Sequence, residues 1–373
     1  MFYRYSVLVL ALTLSACAPR GDITLVPQAA SVGHVEHIFV GSSRGEDPSD
    51  GEEFGKVRTH ETRFARLDVS IPPSHRPGVI TWPGRLGRTD PQTDFVTTQQ
   101  VVYDGSASFR ADLSRALAAQ PGGKREAVIF IHGFNNTFAE GAYRLAQLGN
   151  DLNIKGTLIH YSWPSRASAF GYVYDRDSAL FARDGLEDLL NEVTAAGAKK
   201  IIIVAHSLGS SVAVETLRQI AIGHNDKVRQ RIAGVVLMSP DIDIDLFRAE
   251  AEKIGDLPQP FIIFTSSKDR ALSLSARITG QRDRLGNLTD PAELSTLKVT
   301  LVDTSAYSSG LGHFTVGDSP ALLSILGKIS DVDSAFARDR TGKAGLLGGA
   351  VLTVQNVTQI VLLPVTAIAE EGR

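Results

Sequence analysis

Ser207 is the residue most clearly placed for chemistry. It lies in Ile201-Ile202-Ile203-Val204-Ala205-His206-Ser207-Leu208-Gly209. There a run of four β-branched residues breaks off and a helical pattern of Val212, Val214, Leu217 and Ile220 begins. Strand, tight turn and helix in that order hold a serine hydroxyl at the top of a sheet. The strained turn demands small residues two before and two after the serine. Ala205 and Gly209 fill those positions, the alanine standing where glycine is usual. A serine hydroxyl is a weak nucleophile until a base takes its proton. The base, an imidazole, in turn needs a carboxylate to hold its tautomer and stabilise its cation.

The remaining groups are sought just beyond the carboxyl ends of parallel strands, where reactive residues of open sheets gather. Asp269 follows the strand Phe261 to Phe264, and His313, between glycines in Gly310-Leu311-Gly312-His313, follows the last expected strand, Leu297 to Val302. His132-Gly133-Phe134-Asn135-Asn136 follows the early strand Ala127 to Ile131. The expected catalytic set is Ser207, Asp269 and His313, with Asp241 as the rival acid because it follows the preceding strand, Gly234 to Met238. The backbone N–H groups of Phe134 and Leu208 form the natural oxyanion hole, in which one donor is worth roughly 3–4 kcal/mol. His132 is read as orienting that loop, His206 as pointing away from Ser207, and Asp303 as capping a loop. No carboxylate or histidine cluster has metal-ligand spacing, so neither metal nor cofactor is expected.

The elements that position these groups alternate regularly. Besides the strands above, Thr157 to Trp163 reads as a strand, followed by a helix from about Asp177 carrying Leu180, Phe181, Leu186, Leu189, Leu190 and Val193 at helical spacing. His37 to Val40 and Phe64 to Ile71 read as earlier strands, separated by a polar surface loop, Gly41 to Gly55. Ser319-Pro320 reads as the start of a last helix. Continuously apolar strands alternating with helices imply an α/β class, a mostly parallel central sheet with helices on both faces.

Composition bounds the partners. A net charge of -3, with no long basic run, gives no reason to expect nucleic acid. At the N-terminus Arg4, the apolar run Val7 to Leu12 and Leu14-Ser15-Ala16-Cys17 have the marks of a bacterial lipoprotein signal, residues 1–17, with Cys17 as the lipidated residue. Cys17 is the sole cysteine, so no intramolecular disulfide can form. Residues 18–35 read as a tether, 36–335 as the catalytic domain, and 336–373 as an apolar tail with no charge from Ala344 to Ala369. That tail is read first as a membrane-surface or partner-docking segment, with packing on the domain or a membrane span also open.

Ile131-His132-Gly133-Phe134-Asn135, Tyr161-Ser162-Trp163-Pro164-Ser165, Tyr174-Asp175-Arg176 and Ala205-His206-Ser207-Leu208-Gly209 together resemble a largely uncharacterised bacterial α/β-hydrolase family near esterases and lipases. The resemblance covers roughly residues 36–330 and implies the α/β-hydrolase fold and serine-hydrolase chemistry, without a substrate. The expectation is a hydrolase of ester-type bonds acting on a small-molecule or lipid acyl substrate, membrane-attached through its lipid anchor and facing the periplasm. Ala18 after the cysteine suggests, by analogy, the outer membrane. The alternative is a non-catalytic binding or scaffold lipoprotein, against which the complete Ser, Asp, His set argues. Trp163, Phe170, Tyr172 and Tyr174 are candidates for an acyl or lid pocket or for plain packing, and Asp175 with Arg176 reads as an ion pair at a helix start.

Overall fold

A computed structural model describes residues 20–48, 51–84, 89–280 and 283–307, together with 313, 317, 319, 323, 349–354 and 357–362. Cys17 and the signal segment lie outside the described residues, as does most of the helix expected at Ser319-Pro320.

The strands are β1 (His34–Arg44), β2 (Arg58–Ile71), β3 (Val96–Tyr103), β4 (Glu126–Ile131), β5 (Thr157–Ser162), β6 (Lys200–His206), β7 (Ile232–Met238), β8 (Phe261–Thr265), β9 (Val299–Asp303), β10 (Gly349–Val354) and β11 (Val357–Leu362). They form one sheet in the order β10-β11-β9-β8-β7-β6-β4-β5-β1-β2-β3. From β11 to β1 every neighbouring pair is parallel, whereas β2, β3 and β10 join antiparallel at the two edges. Alternation along each inner strand feeds two cores. Ala127, Ile129 and Ile131 of β4 face one, and Val128 and Phe130 face the other.

The helices are α1 (Ser106–Ala118), α2 (Phe138–Asp151), α3 (Tyr172–Phe181), α4 (Arg183–Ala195), α5 (Leu208–Ile222), α6 (Asp226–Arg229), α7 (Ile244–Ile254) and α8 (Arg270–Ile278). α2 covers one face with Phe138, Ala142, Tyr143, Leu145 and Leu148, and α1, α4, α5 and α7 cover the other. This is the α/β-hydrolase architecture that the sequence leads one to expect.

Four expectations are corrected. The tether 18–35 is packed onto the domain from Arg20 onward: Thr97 N–H donates to Thr24 O (2.9 Å), Val26 N–H donates to Thr97 O (2.8 Å), and Ala29 is buried. Gly41 to Arg44 is not surface loop but the end of β1, and Arg44 is 1% exposed. The helix expected from Asp177 starts at Tyr172 and is interrupted at Ala182, whose carbonyl accepts from both the Tyr161 hydroxyl (2.5 Å) and Leu186 N–H (3.1 Å). Finally, β9 is not the last strand. The tail contributes β10 and β11, with Val357 opposite Val299 and Ile360 opposite Val302, so its described part is sheet. Among the described residues no helix is long and apolar enough to cross a membrane.

Candidate active site

Ser207 occupies the turn between β6 and α5 with φ 51° and ψ −122°, a conformation that costs an ordinary residue of order 1–3 kcal/mol. The surroundings hold it there. Ser207 N–H donates to Met238 O (2.9 Å), while Ser207 O accepts from Ser210 N–H (3.0 Å) and Asp241 N–H (3.2 Å). Gly209 is required by close approach, since a Cβ there would lie 2.3 Å from His132 O and 2.7 Å from Ile131 O. A Cβ on Gly133 would lie 2.9 Å from Ser207 Cβ, so the loop after β4 is pressed against the serine.

The structure brings the three residues from three loops together. His313 Nε2 lies 2.7 Å from Ser207 Oγ, and His313 Nδ1 lies 2.9 Å from Asp269 Oδ2. Asp269 is fully buried and its other oxygen accepts from Leu272 N–H (3.0 Å) at the start of α8, which fixes the carboxylate plane. The His313 side chain keeps 22% of its surface exposed. The His206 ring packs 4.9 Å from that of His313. Burial, with His313 nearby, pushes the His206 imidazole well below the usual histidine range, so His313 packs against a neutral ring.

Asp241 points elsewhere. The Tyr172 hydroxyl donates to it (2.9 Å), the Ser275 hydroxyl lies 2.7 and 2.9 Å from its two oxygens, and Arg284 Nε stands 3.1 Å away. Asp243 caps α7 by accepting from Leu246 N–H (2.9 Å), and Asp303 accepts from Ser305 N–H (2.8 Å). Among the described residues no group of three or more His, Cys, Asp or Glu is arranged to hold a metal ion.

Leu208 follows the serine in sequence, and the loop bearing Phe134 meets the serine at Gly133. Leu208 is the first residue of α5, whose leading N–H groups have no acceptor within the helix. The loop bearing Phe134 is held from behind. Asn136 Nδ2 donates to Phe134 O (2.8 Å) and Gly133 O (3.3 Å). His132 Nδ1 lies 2.9 Å from Gly133 O, and Nε2 lies 3.1 Å from Trp163 O and 3.5 Å from Arg44 Nη2, so a neutral ring donates to one of these carbonyls. Burial and then Arg44 hold that imidazole well below its usual range, hence neutral.

Sequence reasoning missed Arg44. Its guanidinium donates to Ser162 Oγ (2.8 Å), Gly55 O (3.0 Å), Ser165 O (3.2 Å) and Asn136 O (2.9 Å). Burial lowers it to about 10, against the pull of Asp175, so it remains a cation at neutral pH. Asp175 does not pair with its exposed neighbour Arg176. It turns inward and accepts from Ser165 Oγ (2.6 Å), Arg166 N–H (2.7 Å) and Asn135 N–H (3.3 Å). Burial raises its carboxyl above the usual aspartate value, against these bonds.

The four aromatic candidates separate. Trp163 is buried and stacked on His132 at 4.9 Å, and Tyr172 meets the edge of Phe134 at 5.5 Å. Tyr174 is covered by Arg58 and Arg166, while Phe170 is 99% exposed. A cleft of about 460 Å³ opens on the Asn136 side of the loop, lined by Val79, Ile80, Trp82, Glu140 and Arg144 among others.

A strained serine at a strand-to-helix turn, facing a histidine and an acid from later loops, defines the site class of α/β-hydrolases. Residues 105–328 match the family described as alpha/beta hydrolase of unknown function (DUF900), and the chain belongs to that family. No curated protein matches the sequence. Among solved structures it is similar to an esterase of Pyrobaculum calidifontis, at 12% identity over 89% of this chain and 92% of that one, with a TM-score of 0.36. It is also similar to the Pyrococcus furiosus esterase Pf2001, at 12% identity over 84% and 98% with a TM-score of 0.34. The metagenomic carboxylesterase EstE1 shares 12% identity over 91% and 97% with a TM-score of 0.30.

Proposed function

We propose that this protein is a serine hydrolase of ester-type acyl bonds, held by lipid at Cys17 on the periplasmic side of a bacterial envelope. The observation that carries the activity is the position of His313, 2.7 Å from the Ser207 hydroxyl and 2.9 Å from the Asp269 carboxylate. Ser207 Oγ attacks the acyl carbonyl while His313 Nε2 takes its proton, and Asp269 holds the imidazole and stabilises its cation. The developing oxyanion is received by the N–H groups of Phe134 and Leu208, at the N-terminal, positive end of α5. His313 then returns the proton to the departing alcohol oxygen. Water, deprotonated by the same imidazole, cleaves the acyl-serine ester and releases the acid.

What supports the anchor is Leu14-Ser15-Ala16-Cys17 and the uniqueness of that cysteine. Cys17 stands three residues before Arg20, which is docked beside the Phe134 loop, and three residues reach at most about 11 Å. An anchor that close to the catalytic loop suits acyl substrates presented at a membrane surface.

Labelling with a fluorophosphonate probe tests the chemistry: wild type should be labelled and turn over a short-chain activated ester, and Ser207→Ala should do neither. Labelling that persists in Ser207→Ala would remove the proposal. Metabolic incorporation of a radioactive fatty acid tests the anchor, because equal label in Cys17→Ser would exclude it.

A further inference from the structure

We infer that Arg20 is a positioning residue for the oxyanion loop. It acts through Asn135, the residue after Phe134, and the inference rests on the hydrolase reading above.

Asn135 has φ 59°, in the left-handed region, which asparagine tolerates better than most residues and where its contacts fix it. Three of its polar atoms are held. Its N–H donates to Asp175 Oδ2 (3.3 Å) from inside the domain. On the opposite side Arg20 Nη1 donates to its Oδ1 (2.9 Å), and Arg20 Nη2 donates to its backbone O (2.6 Å). The same Nη2 donates to Glu140 Oε2 (2.6 Å), whose other oxygen accepts from Gly21 N–H (3.0 Å). Thr137 Oγ1 closes the circuit by donating to Gly21 O (2.7 Å). Glu140 and Thr137 also form the capping box that starts α2, so the N-terminal segment is fastened to a rigid helix end.

A simple surface ion pair would need only the Arg20–Glu140 contact, and such pairs contribute little. The guanidinium instead divides its fork between a carboxylate and both oxygens of Asn135, which a lysine ammonium cannot reproduce. The peptide joining Asn135 to Phe134 carries Asn135 N–H, held by Asp175, and Phe134 O, held by Asn136 Nδ2 (2.8 Å). Relaxation of Asn135 would turn that peptide and so shift the Phe134 backbone, whose own N–H lies one peptide earlier. Arg20 and Asp175 thus fix the donor's aim from opposite sides.

The test compares full-length wild type with Arg20→Ala and Arg20→Lys. Active sites are counted with a fluorophosphonate, and a short-chain ester and an alkyl boronic acid are the probes. The boronic acid forms a tetrahedral adduct on the serine and needs the same N–H donors as the transition state. Expected per titrated site is a fall in kcat of about tenfold, since misplacing a catalytic contact by a fraction of an ångström carries such a loss. KM should stay within about twofold, and boronic acid affinity should fall by the same factor as kcat. Arg20→Lys keeps the charge beside Glu140 and should fold as wild type while still losing rate. Unchanged kcat and boronic acid affinity per site would overturn the inference, as would a loss confined to the number of titratable sites. Wild type without turnover or label would remove the hydrolase reading itself, whereas active wild type with insensitive variants would remove Arg20 alone.

Discussion

Asp241 and Asp269 leave adjacent parallel strands, β7 and β8, and both are buried at the carboxyl edge of the sheet. Asp269 has one oxygen fastened to the first turn of α8 and the other free to meet His313. Asp241 is saturated by Tyr172 and Ser275 and neutralised by Arg284. Its ties run from the start of α3 to α8, so it fastens the wall of the site without facing the nucleophile. Proximity to a strand end therefore does not decide which acid meets the imidazole; Asp269 does so because one of its oxygens is left for His313.

Asp269→Asn gives the comparison its largest test. An amide in place of the carboxylate favours the wrong tautomer of His313, and kcat should fall roughly 10³–10⁴-fold with KM little changed. Steady-state kinetics on a short-chain ester reads this directly, and a loss of only a few-fold would take the acid's role away from Asp269.

Asp241→Asn should divide the two properties the other way. The Arg284–Asp241 pair has side chains 5% and 3% exposed, and breaking a buried pair costs about 3–5 kcal/mol. An asparagine can still accept from Tyr172, so a loss near the low end is expected. Urea unfolding should show it, while kcat per titrated site stays within about threefold of wild type. A large fall in kcat at unchanged stability would reverse the two assignments.

Much of this contrast was legible in sequence because its determinants are local. The β-branched run before Ala205, the serine, and Gly209 announce the turn within nine residues. Asp269 and His313 were reachable because each follows a strand whose period is plain. The braces were not legible. Arg44 stands in a polar, glycine- and serine-rich stretch that reads as surface loop, and its partner Asn136 is 92 residues away. Arg20 meets Asn135 across 115 residues, and nothing near it is periodic enough to suggest more than a tether. Asp175 reads from sequence as the partner of its neighbour Arg176, since adjacency conceals that the helix turns one inward and the other outward. The tail misled by composition, because an uncharged run suits an inner sheet position as well as a lipid surface.

The histidines repeat the contrast between reactive and structural groups, and pH is the variable that exposes it. His132, His160 and His206 are buried, and burial pushes all three down, His160 to about 3. Below the unfolded value of about 6.5 the unfolded chain binds protons that the native state refuses. Stability must then fall on acidification, by up to about 1.4 kcal/mol per pH unit for each histidine. Glu250 works in the opposite sense. Burial and the neighbouring Glu215 raise its carboxyl, so the native state keeps a proton that the unfolded chain loses above about 4.5. Three histidines outweigh Glu250 below pH 6.5, and above it Glu250 is joined by His37, whose imidazole the hydrogen bond to Asp68 raises. Urea unfolding from pH 5 to 9 should therefore give a maximum near pH 6.5–7, a steep acid limb and a shallow alkaline one. Glu250→Gln should flatten the alkaline limb, and His160→Phe should lessen the acid slope by about one proton. An acid limb no steeper than the alkaline one would mean that these histidines carry protons in the folded protein. His132 could not then sit as a neutral ring beside Arg44 behind the oxyanion loop.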